Sequence, residues 1–261
     1  MSVVGDARFA ARTAALAAYS LGLYATFEAE LRLRGSADDE SLVREYRRRY
    51  GRHMAKLFGI ETVTRGVPAA GYVERADARG VGRIFIVNHR SSLDIFITLA
   101  LLDGKHLSRG DLAQWPIIGL LARRAGILFV DRSSRRSGAA AVQSMIQTIQ
   151  DGSGIILFPE GTTFAGDEVR PFKAGAYAVA KRADCELVPV GIAYAGGGVA
   201  FGEEALLPHM RRVAGTKKVR VGFSVGTALR VDGLSDPVAF GEQLRASVQT
   251  EVTHARELVG P

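Results

Sequence analysis

The sequence predicts an α/β fold: a mixed, mostly parallel sheet flanked by helices, preceded by an N-terminal helical pair. Two observations carry the sheet. Short, continuously apolar runs such as Ile84-Phe85-Ile86-Val87 and Ile155-Ile156-Leu157-Phe158 suit strands buried on both faces. Stretches of helical length separate such runs, and strand–helix alternation marks a mostly parallel sheet. The size and balance of the chain agree. Its 261 residues are 47% apolar and 23% charged, enough for a substantial core and unlike a disordered or fibrous protein.

The first element is the Ala- and Leu-rich stretch ending near Gly35. Its longest uncharged run, residues 13–27, is shorter than the ~20 residues of a spanning helix. Asp6 and Arg8 precede the run and no clean cleavage site follows, so it is a poor signal peptide. The second element, residues 41–60, starts after Ser36 or the Asp38-Asp39 pair. It interleaves Arg44, Arg47, Arg48, Arg49, Arg52 and Lys56 with Tyr46, Tyr50, Met54 and Phe58. A basic helix with aromatic residues can lie in an anionic headgroup layer, and it can equally be an ordinary helix with a solvated charged face.

Beyond Gly59 the strand candidates are residues 84–87, 127–131, 155–158, 187–193 and 219–226. The helix candidates are 92–102, 117–124, 136–150, 174–182 and 237–258. Residues 1–60 read as a helical membrane-associating segment and 61–261 as the α/β domain.

Two strand ends carry chemistry. The run 84–87 leads into Asn88-His89-Arg90-Ser91-Ser92-Leu93-Asp94. His89 then sits at the carboxyl end of a buried strand, where open α/β sheets place their sites. Asp94 is near enough to fix the imidazole tautomer and make it a better base. A capping box, with Ser91 as N-cap and Asp94 three residues on, explains the acid equally well without chemistry. The run 155–158 leads into Pro159-Glu160-Gly161-Thr162-Thr163, a polar loop suited to substrate or to a plain turn. Lys173 stands at a helix start, where the dipole disfavours a cation without an anionic partner.

Asn88-His89-x-Ser91-x-x-Asp94 resembles the H-x4-D motif of the glycerolipid acyltransferases, the 1-acylglycerol-3-phosphate acyltransferase family. Phe158-Pro159-Glu160-Gly161-Thr162 resembles their F-P-E-G-T motif. Residues 126–132, Phe172-Lys173-x-Gly175 and Val188-Pro189-Val190 resemble further family segments, and all five occur in family order.

The resemblance implies acyl transfer from a thioester to the free hydroxyl of a lysolipid, lysophosphatidic acid in the first instance. His89 would be the base and Asp94 its orienting acid. Glu160, Gly161 and Thr162 would position the acceptor, while Arg132, Arg109 and Lys173 would face its anion. Acyl-CoA or acyl carrier protein would be the co-substrate, with no cofactor and no metal. The protein would be monotopic on the cytoplasmic face of the inner or plasma membrane, with an anionic leaflet as partner. The chain departs from the family at Thr163, where many relatives carry Arg after F-P-E-G-T. That departure admits a phosphate-free acceptor such as a lyso-amino-acid (lyso-ornithine) lipid.

Gly222-Phe223-Ser224-Val225-Gly226 matches the G-x-S-x-G of serine hydrolases, but strand rather than helix follows it. Nucleic-acid binding through residues 44–56 lacks any supporting motif, so no nucleic-acid partner is expected. The excess of 34 Lys and Arg over 27 Asp and Glu is assigned to a leaflet and to anionic substrates. Cys185, the only cysteine, excludes an intrachain disulfide and reads as a buried filler.

Overall fold

The computed structural model describes residues 3–35, 39–114, 118–131, 135–173, 175–202, 204–231 and 236–260. Its sheet has seven strands: β1 (Ile60–Arg65), β2 (Ile84–Val87), β3 (Lys105–Arg109), β4 (Leu128–Val130), β5 (Ile155–Leu157), β6 (Leu187–Tyr194) and β7 (Val219–Val225). Their order is β1-β7-β6-β2-β5-β3-β4, and every pairing is parallel except β6 with β7. The helices are α1 (Val3–Leu33), α2 (Glu40–Leu57), α3 (Asp94–Leu101), α4 (Ile118–Arg124), α5 (Arg135–Gln150), α6 (Gly175–Ala183), α7 (Leu206–Gly215) and α8 (Pro237–Val259).

The mixed, mostly parallel sheet is the one the apolar runs predict. Central β2, β5 and β6 are buried at every position, as strands covered on both faces must be. Three elements escape sequence reading. β1 and β3 lie toward the two ends of the sheet order and carry mixed polar sequences, Ile-Glu-Thr-Val-Thr-Arg and Lys-His-Leu-Ser-Arg. α7 carries Pro208 in its first turn, where no intrahelical N–H bond is lost.

The two N-terminal helices share the core of the sheet. Met54 and Phe58 are fully buried in the same apolar cluster as Phe85, Val87, Leu93 and Ile97. Arg12 donates to the carbonyls of Ala214 and Thr216 at 3.0 and 2.5 Å, and Arg8 to that of Gly215 at 2.6 Å. Both cations thus satisfy the bare carbonyl end of α7. Asp39 starts α2 by accepting from the amides of Ser41 and Leu42 at 3.0 and 3.1 Å. Hydrogen bonds, first from the Ser41 hydroxyl and then from the Leu42 amide, hold its carboxyl down at about 2.

The basic stripe of α2 is divided. Arg44 pairs with Asp103 at 3.2 Å, and buried Arg47 reaches the Ala125 carbonyl at 3.0 Å. Arg48 lies over the Tyr72 ring at 3.8 Å. These three cations turn inward, and Arg49, Arg52 and Lys56 remain on the exposed face. The exposed residues of α1 show the opposite composition. From Val3 to Ala29 none is charged: Arg12 is buried, Arg8 and Glu28 are half-buried, and Asp6 is paired with Arg211 at 2.9 Å. Among the described residues no helix is long and apolar enough to cross a membrane.

Candidate active site

Two neighbouring strands assemble the site. β2 and β5 run parallel with Ile86 beside Leu157, so their carboxyl ends release the His89 and Glu160 segments side by side. Just beyond β2, Asn88 donates to the Ile192 carbonyl at 2.9 Å and accepts from the Ile192 amide at 2.7 Å. That pair of bonds ties the end of β2 to β6 and fixes where the chain turns.

His89 Nδ1 lies 2.8 Å from Asp94 Oδ2. Its ring stacks on Phe158, with centroids 4.1 Å apart and planes at 20°. The histidine side chain keeps 19% of its surface while Asp94 keeps none. With Nδ1 committed to the carboxylate, Nε2 is the nitrogen left to exchange a proton.

Asp94 Oδ2 also accepts from the amides of Arg90 and Ser91 at 2.7 and 2.9 Å, and Oδ1 accepts from the Tyr194 hydroxyl at 2.5 Å. The capping expectation changes accordingly. Ser91 is not the cap, since α3 begins at Asp94 after Leu93, and Asp94 itself holds the amides of the preceding turn. The capping role and the histidine-orienting role fall on one carboxylate.

Glu160 is fully buried and saturated. It accepts from the amide of His89 at 2.8 Å, the amide of Arg170 at 2.9 Å, and Arg90 Nη1 at 2.9 and 3.2 Å. Its side chain and that of Arg90 are 0% and 3% exposed. Sequence reading placed Glu160 on the acceptor. In the structure its carboxylate holds the backbone that carries His89, through a buried ion pair with Arg90, which no pattern singles out. Arg90 is one of the unspecified positions in H-x4-D, so periodicity and spacing give no signal for it.

Gly161 adopts φ +80°, and a Cβ built on it would lie 2.7 Å from Lys173 Cε. The missing side chain lets the lysine fold over the loop. Lys173 is exposed at this edge. Thr162 is exposed on the same loop.

Arg109 stands at the carboxyl end of β3, and its guanidinium is 64% exposed and paired with Asp111 at 2.8 Å. Arg132 and Trp115 lie outside the described residues. The structure thus brings together His89, Asp94, Glu160, Gly161 and Lys173, with Arg109 on the next strand of the same edge.

A second histidine sits beside the pair. His209 is fully buried, with Nε2 2.9 Å from Ser92 Oγ, and burial pushes its pKa down. It braces the turn between His89 and Asp94 from α7.

The G-x-S-x-G segment lies within and just beyond β7. Ser224 is fully buried and donates to Glu251 of α8 at 2.5 Å. A Cβ at Gly222 would fall 1.9 Å from the Ala255 carbonyl, so the glycine serves close strand–helix packing. Among the described residues no group of three or more His, Cys, Asp or Glu side chains is placed to hold a metal ion.

Comparison with known proteins gives a consistent result. Residues 70–193 match the family model described as Acyltransferase. A 1-acyl-sn-glycerol-3-phosphate acyltransferase of Neisseria gonorrhoeae is 31% identical over 113 residues, 43% of this chain and 44% of that protein. A lyso-ornithine lipid O-acyltransferase of Pseudomonas aeruginosa is 34% identical over 136 residues, 50% of this chain and 52% of that protein. The chain therefore spans about half the length of the curated relatives it matches. The crystal structure of the 1-acyl-sn-glycerophosphate (LPA) acyltransferase PlsC from Thermotoga maritima superposes with a TM-score of 0.64 at 20% identity. It covers 93% of this chain and 97% of that one, a likeness of fold.

Proposed function

We propose that the acyltransferase-family domain over residues 70–193 transfers a fatty acyl group from a thioester to the free hydroxyl of a lysolipid, lysophosphatidic acid in the first instance. One observation carries the reading. His89 is held by a buried carboxylate at 2.8 Å on Nδ1, with Nε2 available, at the carboxyl edge of a parallel sheet.

In this reading Nε2 removes the proton of the acceptor hydroxyl as its oxygen attacks the thioester carbonyl. The tetrahedral intermediate collapses with loss of the thiolate, which takes the proton back from the imidazolium. An ester and a free thiol result, and no acyl-enzyme is needed. Asp94 keeps the productive tautomer throughout. Lys173 supplies a cation for the acceptor phosphate or for a phosphate of CoA, and Arg109 extends that positive edge. An acyl carrier protein is the other donor compatible with it.

The acceptor's head group has a second candidate. Thr163 stands where many glycerolipid acyltransferases carry Arg, and several similar proteins are named for lyso-ornithine lipid. A phosphate-free lyso-amino-acid lipid is therefore the alternative acceptor.

The acceptor also indicates where the protein works. A lysolipid resides in the bilayer while the thioester is made in the cytoplasm, so monotopic attachment at the cytoplasmic face suits both. The uncharged outer face of α1, next to exposed Arg49, Arg52 and Lys56 of α2, supports that placement.

The test uses the purified full chain, labelled acyl-CoA and a panel of lysolipids that includes lysophosphatidic acid and lyso-ornithine lipid. Transfer to at least one lysolipid is expected, with His89→Ala reducing it at least ~100-fold, as loss of a general base requires. Near-normal turnover by that variant ends the proposal. Preference for the phosphate-free acceptor selects the second reading.

A further inference from the structure

We infer that Tyr194 is a positioning residue for the His89–Asp94 pair, holding the second oxygen of the carboxylate so that the first faces the imidazole. Tyr194 comes from the carboxyl end of β6, two strands from β5 and next to β2. Neither motif contains it.

The two oxygens of Asp94 are served differently. Oδ2 takes three donors: His89 Nδ1, the Arg90 amide and the Ser91 amide. Oδ1 takes the Tyr194 hydroxyl at 2.5 Å. A carboxylate turns about one bond, so a donor on either oxygen restrains the same torsion, and the three on Oδ2 are all drawn from the turn that Asp94 itself closes. The fourth donor, on the other oxygen, comes from β6 and stiffens that torsion from outside the turn, and with it the direction of the bond to His89. Asp94 is fully buried, so its Oδ1 depends on a protein donor.

Tyr194 is built for this task. Its ring lies in the main apolar cluster and is 5% exposed. Burial, and next the charge of Asp94, keep the phenol protonated well above its ordinary range, so it stays a donor. Its own carbonyl accepts from Arg256 Nη1 at 2.7 Å, and Arg256 is held by Asp167 at 2.7 and 3.0 Å. The chain from α8 through Arg256 to Tyr194 thus fixes the donor that fixes the acid.

Only the kinetic part of the test rests on the acyl-transfer reading. Tyr194→Phe keeps the ring and deletes one hydroxyl. It is expected to lower kcat by about 10- to 100-fold with KM for the acceptor within twofold, the size of a lost hydrogen bond to a charged group. In an Asp94→Asn background the same change is expected to lower kcat less than threefold, because the tyrosine acts through the acid.

The second readout needs no activity. The downfield proton resonance of the His89 Nδ1–H···Asp94 bond is assigned by its loss in His89→Gln, and it is expected to move or broaden in Tyr194→Phe. An unmoved resonance overturns the inference, even if the wild type acylates no lysolipid. So does an equal fall in kcat with and without Asp94. A moved resonance in a chain that transfers no acyl group would leave Tyr194 its role and reject the proposed reaction.

Discussion

Replacing Glu160 by alanine separates two roles for the F-P-E-G-T carboxylate. The structure sets the size of the effect. The side chain is fully buried and bonds to two backbone amides and to Arg90 Nη1. Removing it leaves the Arg90 guanidinium buried without its counter-ion, and its Nε already lacks a partner among the described residues. Arg90 would retain only the carbonyls of His89 and Glu168, at 2.9 and 2.8 Å. Breaking a buried pair by deleting one partner costs about 3–5 kcal/mol. For a chain of this size that lowers Tm by roughly 6–20 °C.

Thermal and urea unfolding of Glu160→Ala measure this directly, with KM and kcat recorded where the protein remains folded. Glu160→Leu combined with Arg90→Met removes both charges and is expected to recover the ion-pair part of the loss, while the His89 and Arg170 amides stay without their acceptor. A variant with Tm within about 2 °C of wild type and a raised KM for the acceptor would refute the structural role. It would return Glu160 to the substrate.

Two further outcomes follow from groups outside the proposed chemistry. His106 is fully buried with Nε2 2.9 Å from Thr98 Oγ1, and burial, followed by the charge of Arg47, presses its pKa down to about 3. The unfolded chain takes that proton near pH 6.5, so this stability is complete above about pH 6.5 and declines as pH falls toward 3, by about 2 kcal/mol at pH 5. Urea midpoints between pH 7 and 5 should fall less steeply in His106→Gln; identical slopes would remove His106 from the account. On the proposed bilayer placement of the outer face of α1, Ala18→Glu with Leu21→Glu, both exposed positions, is expected to cut co-sedimentation with anionic phospholipid vesicles several-fold without lowering Tm. Unchanged sedimentation would move the contact surface elsewhere.

The sequence by itself determined the elements that physics writes locally. Continuous apolar runs identified β2, β5 and β6 because a strand covered on both faces has no polar position to spend. The helix candidates at residues 136–150 and 237–258 correspond to α5 and α8. The resemblance to glycerolipid acyltransferases was legible because motif residues are a property of the chain. β1 and β3 were not, since their partly exposed positions admit polar residues that mimic loops.

Only the tertiary structure decided which strand ends meet. Residues 89 and 160 are 71 apart in sequence, and the β2–β5 pairing makes them neighbours. It also decided what each charge does. Arg47 and Arg48 of the basic helix turn inward, Glu160 clasps Arg90, and Tyr194 reaches Asp94 from β6. A charged residue reads the same in a sequence whether it faces water, lipid or a buried partner. Burial and the geometry of its neighbours separate those fates, and both arise from long-range packing.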